Sequence, residues 1–179
     1  ACRSLGSAEV VVQVLADEGL DIVLGYSGGT ILPIYDALFR YNTEHARDDG
    51  SEALPLIVPA NEQGACFMAA GYARASGRVG VALVTSGPGA TNAVTPVRDS
   101  TADSIPMVVI CGQVPTAAIG TDAFQEAPIS TIMGACAKHV FLVTDASTLE
   151  ATLRTAFQIA RSGRPGPVVI DIPKDVQNA

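Results

Sequence analysis

The chain is poor in basic and aromatic residues: 11 Lys and Arg stand against 18 Asp and Glu, there is no Trp, and aromatics make up 5% of its 179 positions. With a net charge of -7 and no cluster of Lys or Arg interleaved with rings, it offers a nucleic acid neither counter-charge nor a stacking platform. No apolar run approaches the roughly 20 residues of a membrane span. The start, Ala1 to Glu9, lacks the charged-then-apolar layout of a signal peptide. The first residue is not Met, which leaves a processed or truncated start open. The cysteines, Cys2, Cys66, Cys111 and Cys136, form no CxxC pair, and three of them lie in apolar runs where a small buried hydrophobe would serve. That usage points to an intracellular, reducing compartment, the cytoplasm or an organelle such as the mitochondrion.

What is present is an apolar chain, 48% hydrophobic and 16% charged, of a length that suits one globular domain over residues 1–179. Helical spacing runs from Ala8 to Leu20, Ile31 to Tyr41, Gln63 to Ser76, Ala90 to a stop before Pro106, Ile129 to Cys136 and Leu149 to Arg161. Between these lie short runs that read as strands: Ile22 to Tyr26, Leu54 to Val58, Val79 to Thr85, Met107 to Cys111, Val140 to Val143 and Val168 to Ile172. The polar stretch Asn42 to Glu52 reads as an expendable surface loop. Strands apolar at consecutive positions need cover on both faces, so the expected fold is α/β: a parallel sheet of about six strands with helices on both faces. Ligands of such sheets sit at the carboxyl ends of the strands. Here those ends are Gly25 to Gly29, Pro59 to Gln63, Ser86 to Asn92, Gly112 to Gln125 and Pro173 to Asp175.

Two of these ends carry chemistry in their own right. Ser86-Gly87-Pro88-Gly89-Ala90-Thr91-Asn92 leaves a strand and opens a helix, so bare amides can approach a ligand. As a dinucleotide fingerprint it is deficient, because Asn92 stands where a third glycine belongs and Pro88 removes a donor. By itself it reads as the tight turn that a strand-to-helix connection needs. Glu62 enters a helix from another strand end, where a carboxylate commonly does no more than complement the helix dipole. The functional alternative is a carboxylate in a partly closed apolar site, exchanging a proton with a bound heterocycle.

The order of motifs is more specific than any one of them. Gly25-Tyr26-Ser27-Gly28-Gly29, Asn61-Glu62-Gln63-Gly64-Ala65, Gly71 to Gly77, Thr85 to Asn92 and Asp103-Ser104-Ile105-Pro106 come first. Gly112-Gln113-Val114-Pro115, Gly120 to Glu126 and Ser162 to Pro167 running into Asp171 to Asp175 follow. From about Ala8 to Gln177 this resembles the pyrimidine-binding domain of acetohydroxyacid synthase, also called acetolactate synthase, a thiamine diphosphate enzyme.

The resemblance implies a transferase of branched-chain amino acid biosynthesis. Glu62 would bond a ring nitrogen of the cofactor's aminopyrimidine and so promote proton loss from the thiazolium carbon. Pyruvate would then be decarboxylated and its two-carbon unit joined to a second small 2-ketoacid. Glu62 and Gln125 are the implied catalytic residues, with Tyr26, Gly28, Pro88, Asn92 and Arg164 binding cofactor. Phe124 and Lys174 would line the substrate pocket. Arg164 would meet the structural FAD that this family of flavoproteins carries. The partners implied are the family's diphosphate-binding domain and a second copy, in a homodimer or higher assembly.

The sequence departs from the family pattern where Ser27, Asn61 and Ala70 replace Pro, His and Glu, departures expected to cluster beside Glu62 and change the charge around it. The family's Gly-Asp-Gly metal and diphosphate motif is missing, since Asp48-Asp49-Gly50 follows no strand, so no Mg²⁺ site is expected here. The chain alone is therefore expected to be inactive. Three other readings stand beside this one: a domain of a neighbouring thiamine diphosphate carboligase or decarboxylase, a non-catalytic dimerisation or regulatory module, and a Rossmann-type binder resting on Ser86 to Asn92.

Overall fold

A computed structural model describes residues 5–179, so the reading of Cys2 falls outside the described residues. The chain alternates helix and strand: α1 Ser7–Asp17, β1 Val23–Gly25, α2 Leu32–Glu44, β2 Leu56–Ile57, α3 Glu62–Ser76, β3 Gly80–Val84, α4 Pro88–Asn92, α5 Val94–Ala102 and β4 Met107–Gln113. It continues with α6 Ile129–Gly134, β5 His139–Leu142, α7 Leu149–Arg161, β6 Pro167–Pro173 and α8 Lys174–Gln177. The strands form one six-stranded sheet in the order β2-β1-β3-β4-β6-β5, every pair parallel. The expected architecture is thus the observed one.

The continuous apolar runs are explained by two cores, one on each face. Alternate strand residues such as Val108, Ile110, Val168, Ile170 and Ile172 point into a core with α1, α2 and α7. Their neighbours Met107, Val109, Cys111 and Val169 point into a second core with α3, α5 and α6. On α7, Leu149, Leu153, Ala156, Phe157 and Ala160 recur at helical spacing and are buried. Removing a ring such as Phe157 from water contributes about 1.5–3 kcal/mol. On α3 the buried residues are small (Ala65, Cys66, Ala69, Ala70, Ala73), which lets that helix lie close to the sheet. It begins at Asn61, whose side chain accepts the Gly64 N–H at 2.8 Å, and ends at Gly77 in the left-handed region.

Three expectations need correction. The helix expected from Ala90 is two helices, broken at Ala93 between α4 and α5, because α4 already starts at Pro88 and is only one turn long. Asn42 does not begin a loop: it is buried on α2, and its side chain donates to the Leu54 carbonyl at 2.9 Å and accepts the Leu54 N–H at 2.8 Å. The exposed stretch is 43–52, and its base is pinned. Ala70 does not sit beside Glu62; it is buried in the second core, two turns further along α3, about 12 Å by helical rise.

Candidate active site

Parallel strands put all their carboxyl ends on one edge, and most of the expected site residues gather there. Glu62, the first residue of α3, is only 8% exposed although charged. The side chain of Asn92, at the end of α4, donates to Glu62 Oε2 at 2.8 Å. Glu62 Oε1 makes no hydrogen bond among the described residues, and the bare backbone of Gly89 lies over it. A Cβ on Gly89 would stand 3.1 Å from Oε1 and 2.5 Å from Thr85 Cγ2. One carboxylate oxygen is therefore oriented and the other left available. The hydroxyl of Ser86, fully buried in the same turn, also has no partner among the described residues.

The charge of Glu62 is felt around it. Burial first, and Glu62 second, push the Cys66 thiol up to about 12, and the same two causes raise the Tyr35 phenol above its ordinary range. Both groups stay neutral near neutrality, so the carboxylate faces neutral neighbours. Tyr35 from α2 lies near enough to donate weakly to the Leu83 carbonyl at 3.5 Å.

The Ser86–Asn92 turn is braced from the β1–α2 connection. Thr30 Oγ1 accepts the Ser86 N–H at 3.0 Å and shares a hydrogen bond of 3.0 Å with Thr85 Oγ1, while Gln177 Nε2 donates to the Thr30 carbonyl at 2.8 Å. Thr30, Tyr35 and Thr85 were not among the sequence candidates. For Thr30 and Thr85 the only signal is a polar residue close to a strand end, which many turns share; Tyr35, inside α2, gives none. The turn's own amides are partly spent internally, Gly89 N–H on Ser86 and Thr91 N–H on Gly87, and the helix that follows has five residues. This is not the long, open helix start of a dinucleotide site.

Gln125 meets this turn through its backbone. Gly87, with φ of 51°, packs so closely that a Cβ there would come within 2.3 Å of the Gln125 carbonyl oxygen. Gln125 itself has φ of 58° and Asp122 φ of 56°, conformations costly for residues with side chains and held by the surrounding loop. The Glu126 carboxylate closes that loop by accepting the N–H groups of Gly120 and, at 3.0 Å, Ala123, which hold it below the usual carboxylate range. Phe124 at the tip is 89% exposed, so it is not core.

Tyr26 and Gly28 leave β1 on the same edge, Pro88 is exposed in the turn, and Lys174 opens α8 at the end of β6. No hydrogen bond joins Lys174 to Glu62 or Gln125. Arg164 is not part of this cluster. It precedes β6, at the opposite edge of the sheet, where its guanidinium donates to Ser104 Oγ at 2.8 Å and to the carbonyls of Thr101 and Ala102 at 3.1 and 3.0 Å. There it caps the carboxyl end of α5. Of the departing residues, Asn61 caps α3 and Ser27 is exposed. Among the described residues no three His, Cys, Asp or Glu side chains are placed to hold a metal ion, and no helix is long and apolar enough to cross a membrane.

Residues 6–134 match the family described as "Thiamine pyrophosphate enzyme, N-terminal TPP binding domain". The chain belongs to that family. Within the TPP enzymes it is similar to the mitochondrial acetolactate synthase catalytic subunit of Saccharomyces cerevisiae, 50% identical over 175 residues, 98% of this chain and 24% of the yeast protein. The acetolactate synthase large subunit of Haemophilus influenzae is 50% identical over 177 residues, 98% of this chain and 29% of that protein. The isozyme 2 large subunit of Escherichia coli is 47% identical over 175 residues, 98% of this chain and 30% of that protein. The TPP-binding domain described here thus spans less than a third of each of these relatives. The available Glu62 oxygen, the orphaned Ser86 hydroxyl and the glycine-lined turn fit the pyrimidine end of thiamine diphosphate, a flat heterocycle rich in nitrogen donors and acceptors.

Proposed function

We propose that residues 1–179 form the pyrimidine-binding domain of an acetohydroxyacid synthase-like enzyme, which decarboxylates pyruvate and condenses the two-carbon unit with a second 2-ketoacid in branched-chain amino acid biosynthesis. The observation that carries this reading is the state of Glu62: buried, held through Oε2 by Asn92, and left free at Oε1 beneath Gly89. Likeness over 98% of the chain to acetolactate synthases supports the choice of reaction. Thiamine diphosphate, when bound, supplies the electron sink for decarboxylation, and the protein supplies orientation and proton transfer.

Glu62 Oε1 is the atom that shares a proton with a ring nitrogen of the aminopyrimidine, while Asn92 keeps the carboxylate from turning away. Gly89 makes room for the ring, and Tyr26, Gly28 and Pro88 line its edge. Gln125 and the protruding Phe124 reach toward the ligand bound by a partner subunit, with Lys174 at the rim. Arg164, with its guanidinium on the far edge, is the contact for FAD. The Mg²⁺ and diphosphate belong to the diphosphate-binding domain, which docks on this domain in a homodimer or higher assembly. Exposed apolar side chains such as Phe124 and Phe39, 89% and 71% exposed, are consistent with such partners. The compartment is intracellular, cytoplasm or mitochondrion.

The reading is tested by supplying a diphosphate-binding domain, thiamine diphosphate, Mg²⁺ and FAD, and following pyruvate. Acetolactate is the expected product from the assembly and none from the chain alone. Acetaldehyde as the main product would replace the synthase by a neighbouring decarboxylase, and no turnover with cofactor bound would leave a non-catalytic module.

A further inference from the structure

A second acid, buried more deeply than Glu62, has no part in the mechanism above. Asp171 on β6 is 1% exposed and points to the same face of the sheet as Cys111, its register partner on β4. Gln113 Nε2, from the end of β4, donates to Asp171 Oδ2 at 2.9 Å. The same nitrogen donates to the Ala127 carbonyl at 3.4 Å, while Gln113 Oε1 accepts the Val114 N–H at 2.8 Å. Asp171 Oδ1 is buried and has no hydrogen-bond partner among the described residues. Beside it lies a cavity of about 230 Å³, lined in part by Gln113, Gly120, Glu126, Ile129, Leu142 and Asp171.

The side chain of Gln113 is thus the link between a buried carboxyl group and the loop that carries Phe124 and Gln125. We propose that Asp171 is a positioning residue that acts through Gln113: its protonation state sets how firmly the Phe124–Ala127 stretch is fastened over the Ser86–Asn92 turn. The neutral carboxyl carries no charge to hydrate and leaves one amide hydrogen of Gln113 for Ala127. The carboxylate, with charge on a bare buried oxygen, pulls the Gln113 amide toward itself. The bond that yields is the long one to Ala127.

The groups around Asp171 leave it without compensation. β4 contributes Cys111, whose thiol burial and the Asp171 charge push well above its ordinary range. β5 contributes Leu142, its register partner, while His139 falls on the other face with Phe141. α6 contributes the apolar Ile129 and Met133. Across the cavity stands the Glu126 carboxylate, and no Lys, Arg or His is among the described residues that line it. Burial accordingly pushes Asp171 up to about 7, opposed only by the Gln113 hydrogen bond.

The consequence for catalysis rests on the proposed role of Gln125, whereas the coupling itself is a property of this chain and is measured without cofactor. In the ¹⁵N-labelled chain, titrated from roughly pH 5 to pH 9, the Gln113 side-chain amide and the backbone amides of Gln125 and Ala127 are expected to shift along one curve. Its midpoint should equal that of the Asp171 carboxyl carbon. Asp171→Asn should abolish the shifts in the loop while β3 amides keep their positions. Gln113→Ala should leave the Asp171 carboxyl titrating and the loop amides still. Loop amides that do not titrate in the wild type would overturn the proposal. So would loop amides that titrate unchanged in Asp171→Asn, or that follow the carboxyl equally well in Gln113→Ala.

Discussion

At the scale of single residues the two buried acids have different surroundings. Glu62 is half satisfied by Asn92 and sits at a helix start, whereas Asp171 lies mid-face beneath α6 with one neutral donor. The Asp171 carboxyl titrates at about 7 in the folded chain against 3.8 unfolded, so the folded state keeps a proton that the unfolded state releases. That contribution is complete below the unfolded value and is lost as pH rises through the folded one. Urea unfolding should therefore show stability falling between about pH 4 and pH 7, by on the order of 1–4 kcal/mol. In Asp171→Asn this limb should flatten; an identical limb would mean that another group provides it. The place of Glu62 at the strand-end edge was legible in the sequence because the order of motifs around it is specific. Thr30, Thr85 and Tyr35 were not, since they matter through contacts 48–56 residues away in the chain.

Elements were legible where burial has a simple period. The apolar strand runs and the 3.6-residue spacing of α7 follow directly from cores on both faces of the sheet. The misplaced boundary at Asn42 has a physical reason: a polar residue next to a charged stretch reads as loop, yet its amide pairs with both main-chain groups of Leu54. Asn42→Ala would strand a buried donor and acceptor, and is expected to cost roughly 1–3 kcal/mol for each. Asn42→Asp keeps the acceptor for the Leu54 N–H but turns a second acceptor onto the Leu54 carbonyl and buries a charge, so near neutral pH it should cost no less. Both are read from urea midpoints. A loss within error for Asn42→Ala would show that water replaces the amide at no cost.

At the scale of the whole molecule, the sheet order brings the ends of β1, β2, β3, β4 and β6 to one edge, so residues as far apart as Glu62, Asn92 and Gln125 become neighbours or share one turn. Arg164 falls at the other edge for the same topological reason, which no local motif could reveal. The function proposed for this edge is to hold the pyrimidine side of the cofactor, with Glu62 as its proton-sharing group. The direct test is hydrogen–deuterium exchange at the thiazolium carbon of bound thiamine diphosphate, in the assembly with a diphosphate-binding domain, at matched cofactor occupancy. Glu62→Gln fills the same space without the shareable proton, so exchange should slow by roughly 10²- to 10⁴-fold while cofactor affinity changes far less. Equal exchange rates in the wild type and the variant would reduce Glu62 to a helix-start carboxylate with no part in proton transfer.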